Sequence, residues 1–206
     1  MAVAPQAQAQ VQPTPVAGST VHPPLTPLHD VTVTYLFRAQ HRPGEKDMGP
    51  EKPVTVSFGQ TGDRVRIESA GAKGVTILDR PAQKVTLISN GERSYIQFLP
   101  LHGLRNPFML DLNMQYKPGA MAKVAGVPCQ QWAITSPQGH ADACITADGV
   151  ILSEHGVDAD GIAGQLDATA VHYGPLPASL FEPPAGYKKV TPPQVGSTKA
   201  PSATNH

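Results

Sequence analysis

The stretch Val124–Leu152, VAGVPCQQWAITSPQGHADACITADGVIL, decides the fold. It holds both cysteines and the only tryptophan of the 206-residue chain. Trp132 and Ile134 alternate with polar neighbours, the period of a strand with one buried face. Thr135–Gln138, with its proline, reads as a loop, and Ala141–Thr146 as the return strand. Asp148-Gly149 is the dipeptide that favours a two-residue primed turn, and Val150–Leu152 starts a third strand. If Ile134 faces Gly139 across a four-residue loop, Cys129 stands directly opposite Cys144. Opposed residues at a non-hydrogen-bonded site lie ~4.5 Å apart at Cα, within reach of a disulfide. The spacing permits a staple; two buried free thiols are the alternative.

Upstream the same period of two recurs. Val31, Val33, Tyr35 and Phe37 share one face, and Val54, Val56 and Phe58 repeat the pattern after a charged loop at Gly44–Pro53. Val65 and Ile67, Val75 and Ile77, Val85 and Leu87, and Ile96 and Phe98 follow, separated by turn residues such as Asn90-Gly91. Short strands with turns at this spacing predict an antiparallel meander. Leu101, Leu104, Phe108 and Leu112 recur at helical intervals, so Leu99–Leu112 is expected to form a short or kinked helix across the sheet, although Gly103 and Pro107 oppose it. A strand near Met121–Val127, the three central strands and one at Leu166–Tyr173 complete the set. Pro177–Phe181 reads as one helical turn, with Phe181 and Tyr187 anchoring the chain's exit. The expected fold is mainly β: one antiparallel curved sheet of about ten strands. A sheet of that size curls or closes. The hairpins look unevenly sized, which favours a half-barrel over a closed up-and-down barrel.

The ends differ in composition. Residues 1–29 carry six prolines and a glutamine repeat, and 189–206 is of the same kind, so both are expected to be disordered around a domain at 30–188. The first residues, MAVAPQAQAQVQ, have neither the basic nor the apolar region of an export signal and read either as a mature or trimmed chain whose signal is missing or as a chain with a mis-set start. With 16 basic and 16 acidic residues the chain is neutral, which argues against nucleic acid as a partner. No apolar run approaches the ~20 residues of a membrane-spanning helix. A monomer is expected.

Several pieces resemble one pattern: Val124-Ala125-Gly126 with Pro128-Cys129 and Trp132, Ala143-Cys144-Ile145-Thr146 with Asp148-Gly149-Val150, Ile77-Leu78-Asp79-Arg80-Pro81, and Leu180-Phe181-Glu182-Pro183-Pro184-Ala185-Gly186-Tyr187. Together they are similar to a family of uncharacterised exported bacterial domains grouped with the outer-membrane lipoprotein carriers and receptors (LolA/LolB-like). The resemblance implies a half-barrel, a periplasmic or otherwise exported location and a paired Cys129 and Cys144. The shared motifs are structural, so no carrier residue is transferred, and fold does not fix function.

Catalytic signatures are missing: there is no GxSxG elbow, HExxH or Walker A sequence, and the cysteines are 15 apart rather than in a CxxC pair. Neither catalytic residues nor a metal site nor a cofactor is implied. The eight histidines, His22, His29, His41, His102, His140, His155, His172 and His206, are scattered. Glu154-His155 with Asp158 and Asp160 is the densest set of potential ligands, but it lacks the further oxygens of a calcium loop. His140 and Asp142 share a face without a third ligand. Arg64, Arg66 and Arg93 read as outer-face charges, or as a site for an anionic headgroup. The remaining candidate is the apolar face itself: Tyr35, Phe37, Val56, Phe58, Ile67, Ile77, Leu87, Phe98 and Trp132. These residues are either core beneath the helix or the lining of a groove for acyl chains. The corresponding functions are a non-catalytic envelope protein holding a lipid or acylated partner, and a structural or interaction domain without a ligand.

Overall fold

The computed structural model describes residues 21–39, 53–101, 103–104, 106–158, 161 and 163–191. The charged loop, His41, His102, Asp160, His206 and most of both tails therefore lie outside the described residues. The alternating segments form β1 (Val31–Ala39), β2 (Pro53–Gly59), β3 (Arg64–Ser69), β4 (Gly74–Asp79), β5 (Lys84–Ser89) and β6 (Ser94–Phe98). Then come β7 (Gln115–Val124), β8 (Val127–Ser136), β9 (Gly139–Ile145), β10 (Ile151–Asp158), β11 (Ala163–Tyr173) and a short β12 (Lys188–Lys189). Among the described residues twelve strands, more than the ten expected, make one sheet in the order β12-β6-β5-β4-β3-β2-β1-β11-β10-β9-β8-β7. Every pairing is antiparallel except β12 on β6, and the sheet stays open, with β7 at one edge.

β1 is the hub. The chain meanders out from it to β6, crosses to the opposite edge at β7, and meanders back until β11 lies beside β1. The crossing is made by residues 99–114. Laid flat, ten strand spacings would separate β6 from β7 by roughly 48 Å. Sixteen residues reach that far only when nearly extended, ~53–58 Å at most. This connection uses its length in turns, so the sheet must curl to bring its edges together.

Among the described residues of that connection no helix forms, contrary to the spacing of its leucines. Gly103 is left-handed (φ 73°), and Asn106 and Asp111 capture backbone donors for themselves. The Asn106 Oδ1 accepts from Phe108 N at 3.0 Å, and the Asp111 Oδ1 from Asn113 N at 2.7 Å. Such side-chain turns compete directly with helical hydrogen bonding. Leu101 is 96 % exposed, whereas Phe108 and Leu110 are buried, so the apparent helical stripe is divided between solvent and core.

The hairpins of β2–β6 are even, not irregular: β3, β4, β5 and β6 begin at residues 64, 74, 84 and 94. The register brings Gly59 opposite Arg64, Asp79 opposite Lys84 and Ser89 opposite Ser94 across four-residue loops. In the loop that opens with Asn90-Gly91, the left-handed residue is Arg93 (φ 51°) and not the glycine.

The central hairpins also refine the reading. Cys129 and Cys144 form a disulfide, with Cα atoms 5.4 Å apart. Its register differs from the expected one. Ser136 pairs with Gly139 across Pro137-Gln138, and Cys144 faces Gln131. The cysteines are therefore diagonal neighbours. A two-residue shift preserves the face of every side chain, which is why the pairing survives the change of register. The β9–β10 connection is a three-residue loop, closed by Thr146 N to Val150 O at 2.9 Å, with Gly149 left-handed at its end (φ 90°). This is the bulged three-residue form rather than a primed two-residue turn.

Two chain segments outside the meanders pack onto the sheet. Residues 21–29, grouped with the leader on composition, bury Pro23 and Pro27. Leu28 N donates to Asp148 O at 3.0 Å, and a Cβ on Gly149 would lie 2.4 Å from Thr26 O. At the other end, Leu176–Tyr187 covers the outer face of β3–β6. Phe181, in the 3-10 turn Ala178–Phe181, joins Val75, Ile77 and Ile88 in a separate buried cluster. Gly59 makes room for its ring, since a Cβ there would lie 2.4 Å from the Phe181 Cε2. Tyr187 donates its hydroxyl to the Asn90 Oδ1 at 3.2 Å and lies beneath the Arg93 guanidinium. The C-terminal motif read from the sequence is thus a clasp on the outer face.

Candidate functional site

Directly paired residues share a face, so the register resolves the inner face into rows. One row runs Val31, Phe58, Val65, Leu78, Val85, Phe98. The next runs Val33, Val56, Ile67, Thr76, Leu87, Ile96. Both begin completely buried at β1 and become accessible toward the edge, where Leu87 is 38 % and Phe98 37 % exposed. The crossing segment accounts for the gradient. Its Phe108 and Leu110 belong to the main core, and Phe108 packs on Tyr35 with ring centroids 5.1 Å apart. Beyond them, among the described residues, the inner side chains at the β5–β6 edge are accessible. A shallow hollow of about 210 Å³ lies at that edge, lined by Leu87, Ile88, Tyr95, Ile96 and Val190 with Ser89, Glu92 and Ser94 among its polar neighbours.

The nine apolar candidates therefore separate. Tyr35, Val56, Phe58 and Trp132 are core. Tyr35 donates its hydroxyl to Ile151 O at 2.7 Å, and burial holds its proton on far above the usual phenol range. Ile67 is half-buried against the core, Leu87 and Phe98 line the open end, and Phe37, 39 % exposed, stands apart on β1. Ile77 is on the other face: it pairs with Arg66 and packs under Phe181, because the inner positions of β4 are Thr76 and Leu78. Its β-branched apolar character does not reveal the face, since both faces of β4 are covered.

The three arginines hold the scaffold. Arg64 pairs with Asp79 at 3.0 Å. Arg66 binds both Glu68 oxygens and donates to Leu180 O at 3.0 Å, fixing the clasp; that pairing holds the Glu68 carboxyl below its usual range. Arg93 stacks on Tyr187. His155 leaves the Glu154 face and meets Asp167 at 3.3 Å, together with Gln165. His140 and Asp142 lie on that outer side of β9, opposite Val157 and His155. Among the described residues no group of three or more His, Cys, Asp or Glu is placed to hold a metal ion.

Sequence reasoning weighed Glu154 only as a ligand in an acidic cluster. The register instead sets it alone in an inner row of apolar side chains: Phe37, Leu166, Glu154, Ala143, Trp132. Burial pushes its carboxyl up to about 7. Period-two alternation from Leu152 was the available signal, but a bulge between Ile151 and Ser153 resets it.

The site is an open, curved antiparallel sheet whose concavity is filled at one end by its own chain and left apolar and accessible at the other. A structure of an uncharacterised conserved protein from Thermus thermophilus shares this fold, with a TM-score of 0.52 and 11 % identity over 80 % of this chain and 91 % of that one. MucB is similar at TM-score 0.49 and 12 % identity, over 78 % of this chain and 59 % of its own. The Pseudomonas aeruginosa MucA/MucB complex gives 0.46 and 15 %, over 72 % and 53 %. This chain thus spans a little over half the length of the MucB chains it matches. No family model and no curated protein matches the sequence.

Proposed function

We propose that this chain is a non-catalytic binding module of the bacterial envelope, of the lipoprotein-carrier kind, that takes an apolar segment of a lipid or lipidated partner on the accessible inner edge of β5–β6. The observation that carries this reading is the exposure gradient along the two inner rows, at whose edge Leu87 and Phe98 are exposed and Ile96 is half-buried among the described residues. Contiguous exposed apolar surface marks binding sites. The hollow at this edge is about 210 Å³, below the ~300–1,000 Å³ of pockets that enclose a drug-sized ligand. A segment of an acyl chain fits that scale, and a whole lipid does not. A disulfide and the exported-family motifs support an oxidising, periplasmic location. Among the described residues no helix is long and apolar enough to cross a membrane.

A second reading, an interaction domain without a lipid ligand, is favoured by the way Phe108, Leu110, Tyr116 and Trp132 fill the deep concavity. Titration with a fluorescent fatty acid separates the two. Binding at micromolar concentration, weakened about tenfold or more by Leu87→Asp and by Phe98→Asp with folding intact, supports the lipid reading. Absence of binding, or binding indifferent to both substitutions, leaves the interaction domain.

A further inference from the structure

We infer that the hollow at the β5–β6 edge takes the carboxylate end of a fatty acid, with the Lys188 ammonium as its countercharge and the Ser89 hydroxyl as a further donor. This deepens the acyl-chain reading above and rests on it. The register supplies the geometry. Ser89 faces Ser94 across the last hairpin of the first wing, and the parallel bridge of β12 sets Lys188 beside Ser94. Gly74, Ser89, Ser94 and Lys188 therefore form one inner row. The next inner row is Thr76, Leu87 and Ile96. Val190 lines the same hollow, held there by its N donating to Tyr95 O at 2.9 Å. Leu78, Val85 and Phe98 make the row after that. Rows on one face are about 7 Å apart along a strand. Within one such step the inner surface changes from hydroxyls and an ammonium to hydrocarbon, the profile of an amphiphile with a small head and an alkyl tail.

The charges select the head. An ammonium carries three donors and no acceptor, so it receives an anion. Glu92 lines the hollow as well, and the loop residues around it are tied together: Ser94 donates its hydroxyl to Glu92 Oε2 at 3.3 Å, and Glu92 N donates to Ser89 Oγ at 3.4 Å. The Ser89 oxygen is thus an acceptor within the loop, and its own proton points to a ligand. Lys189 alternates to the outer face with Tyr95, and Arg93 is stacked on Tyr187. One cation facing inward beside one carboxylate suits a head with a single negative charge. A phosphate, with about two, would hold its excess charge against Glu92. A carboxylate is therefore favoured over a phosphorylated head.

The test compares decanoate with decanol, its neutral counterpart, by calorimetry on the full chain at low ionic strength and about pH 8, where the acid is ionised. Decanoate should bind about fivefold or more tightly, and added salt should shrink the preference. Lys188→Met should remove the preference while decanol binding stays within about twofold, and Lys188→Arg should retain it. Lys189→Met is the matched loss of charge on the outer face and should leave the preference intact. Glu92→Gln should enlarge it, because the competing anion is gone. Equal binding of acid and alcohol, or an equal loss on Lys188→Met and Lys189→Met, overturns the head assignment and leaves the acyl-chain reading standing. Decyl phosphate binding more tightly than decanoate overturns it too. If neither decanoate nor decanol binds, the acyl-chain reading and this inference fall together.

Discussion

The two wings of the sheet on either side of β1 solve the same burial problem in opposite ways. β2–β6 are short, five to seven residues each, joined by even hairpins and backed on their outer face by the C-terminal clasp. β7–β11 run seven to eleven residues, are stapled by the disulfide, and are filled on their inner face by the crossing segment. The first wing is covered outside, and its inner face is buried near β1 and accessible at the β5–β6 edge. The second is filled inside, and its outer face carries the polar set of His155, Gln165 and Asp167. An antiparallel sheet needs only one buried face to be stable. Covering the outer face of β3–β6 therefore frees part of the inner face of that wing for a ligand.

The largest expected effect follows from that division. Phe181→Ala should cost about 3–5 kcal/mol, as for other buried aromatic truncations, because Val75, Ile77 and Ile88 lose the ring that shields them. Chemical denaturation measures it. A cost below about 1 kcal/mol would show that the clasp is incidental and that the first wing is held from the inside. The corresponding cut in the second wing is the disulfide. Replacing Cys129 and Cys144 together by alanine should cost ~3 kcal/mol for a closed loop of this length, read as a lowered melting temperature.

Alternation made the strands legible, but it was silent on which face each strand turns inward once both faces are apolar. Ile77 illustrates this: Val75 and Ile77 look like their counterparts in β2, yet they point outward because a segment a hundred residues later covers them. The crossing segment failed for a different reason. Its leucines carry a helical period, while Asn106 and Asp111 carry the turn chemistry that overrides it. The disulfide was readable because its evidence survives a two-residue register error. Glu154 was not, because its significance depends on neighbours from four other strands.

Glu154 gives the second wing a pH signature near neutrality, opposite in sense to that of Glu68 in the first wing. Its folded-state pKa is raised from 4.5 to about 7, so the native protein holds this proton more tightly than the unfolded chain. Stability must then fall as pH rises between those two values, by roughly 3 kcal/mol in all from this group. Glu68 works in the opposite sense at more acid pH, since Arg66 lowers its pKa and the benefit is lost on protonation. Glu154→Gln should flatten the decline on approach to neutrality and raise stability above pH 7, seen as a higher melting temperature there. A variant whose stability parallels the parent across the window would mean that the carboxyl is already solvated.

The smallest expected effect is the sharpest probe of the open inner face. Leu87 and Leu78 lie on adjoining strands of the first wing, both directed inward, in neighbouring rows. Leu78 is buried in the main core, whereas Leu87 is 38 % exposed. Truncating a buried leucine to alanine costs about 2–5 kcal/mol, through lost transfer energy and the cavity left behind. Leu87 has surrendered much of that transfer energy already, and water can enter the space its side chain vacates. Leu87→Ala should therefore cost less than about 1 kcal/mol, while Leu78→Ala should cost at least twice as much. Adding a fatty acid should narrow the gap: a ligand seated on Leu87 stabilises the parent by mass action, and the alanine variant less so. Equal costs without ligand would mean that the row is covered to its end, and the two wings would then differ only in strand length.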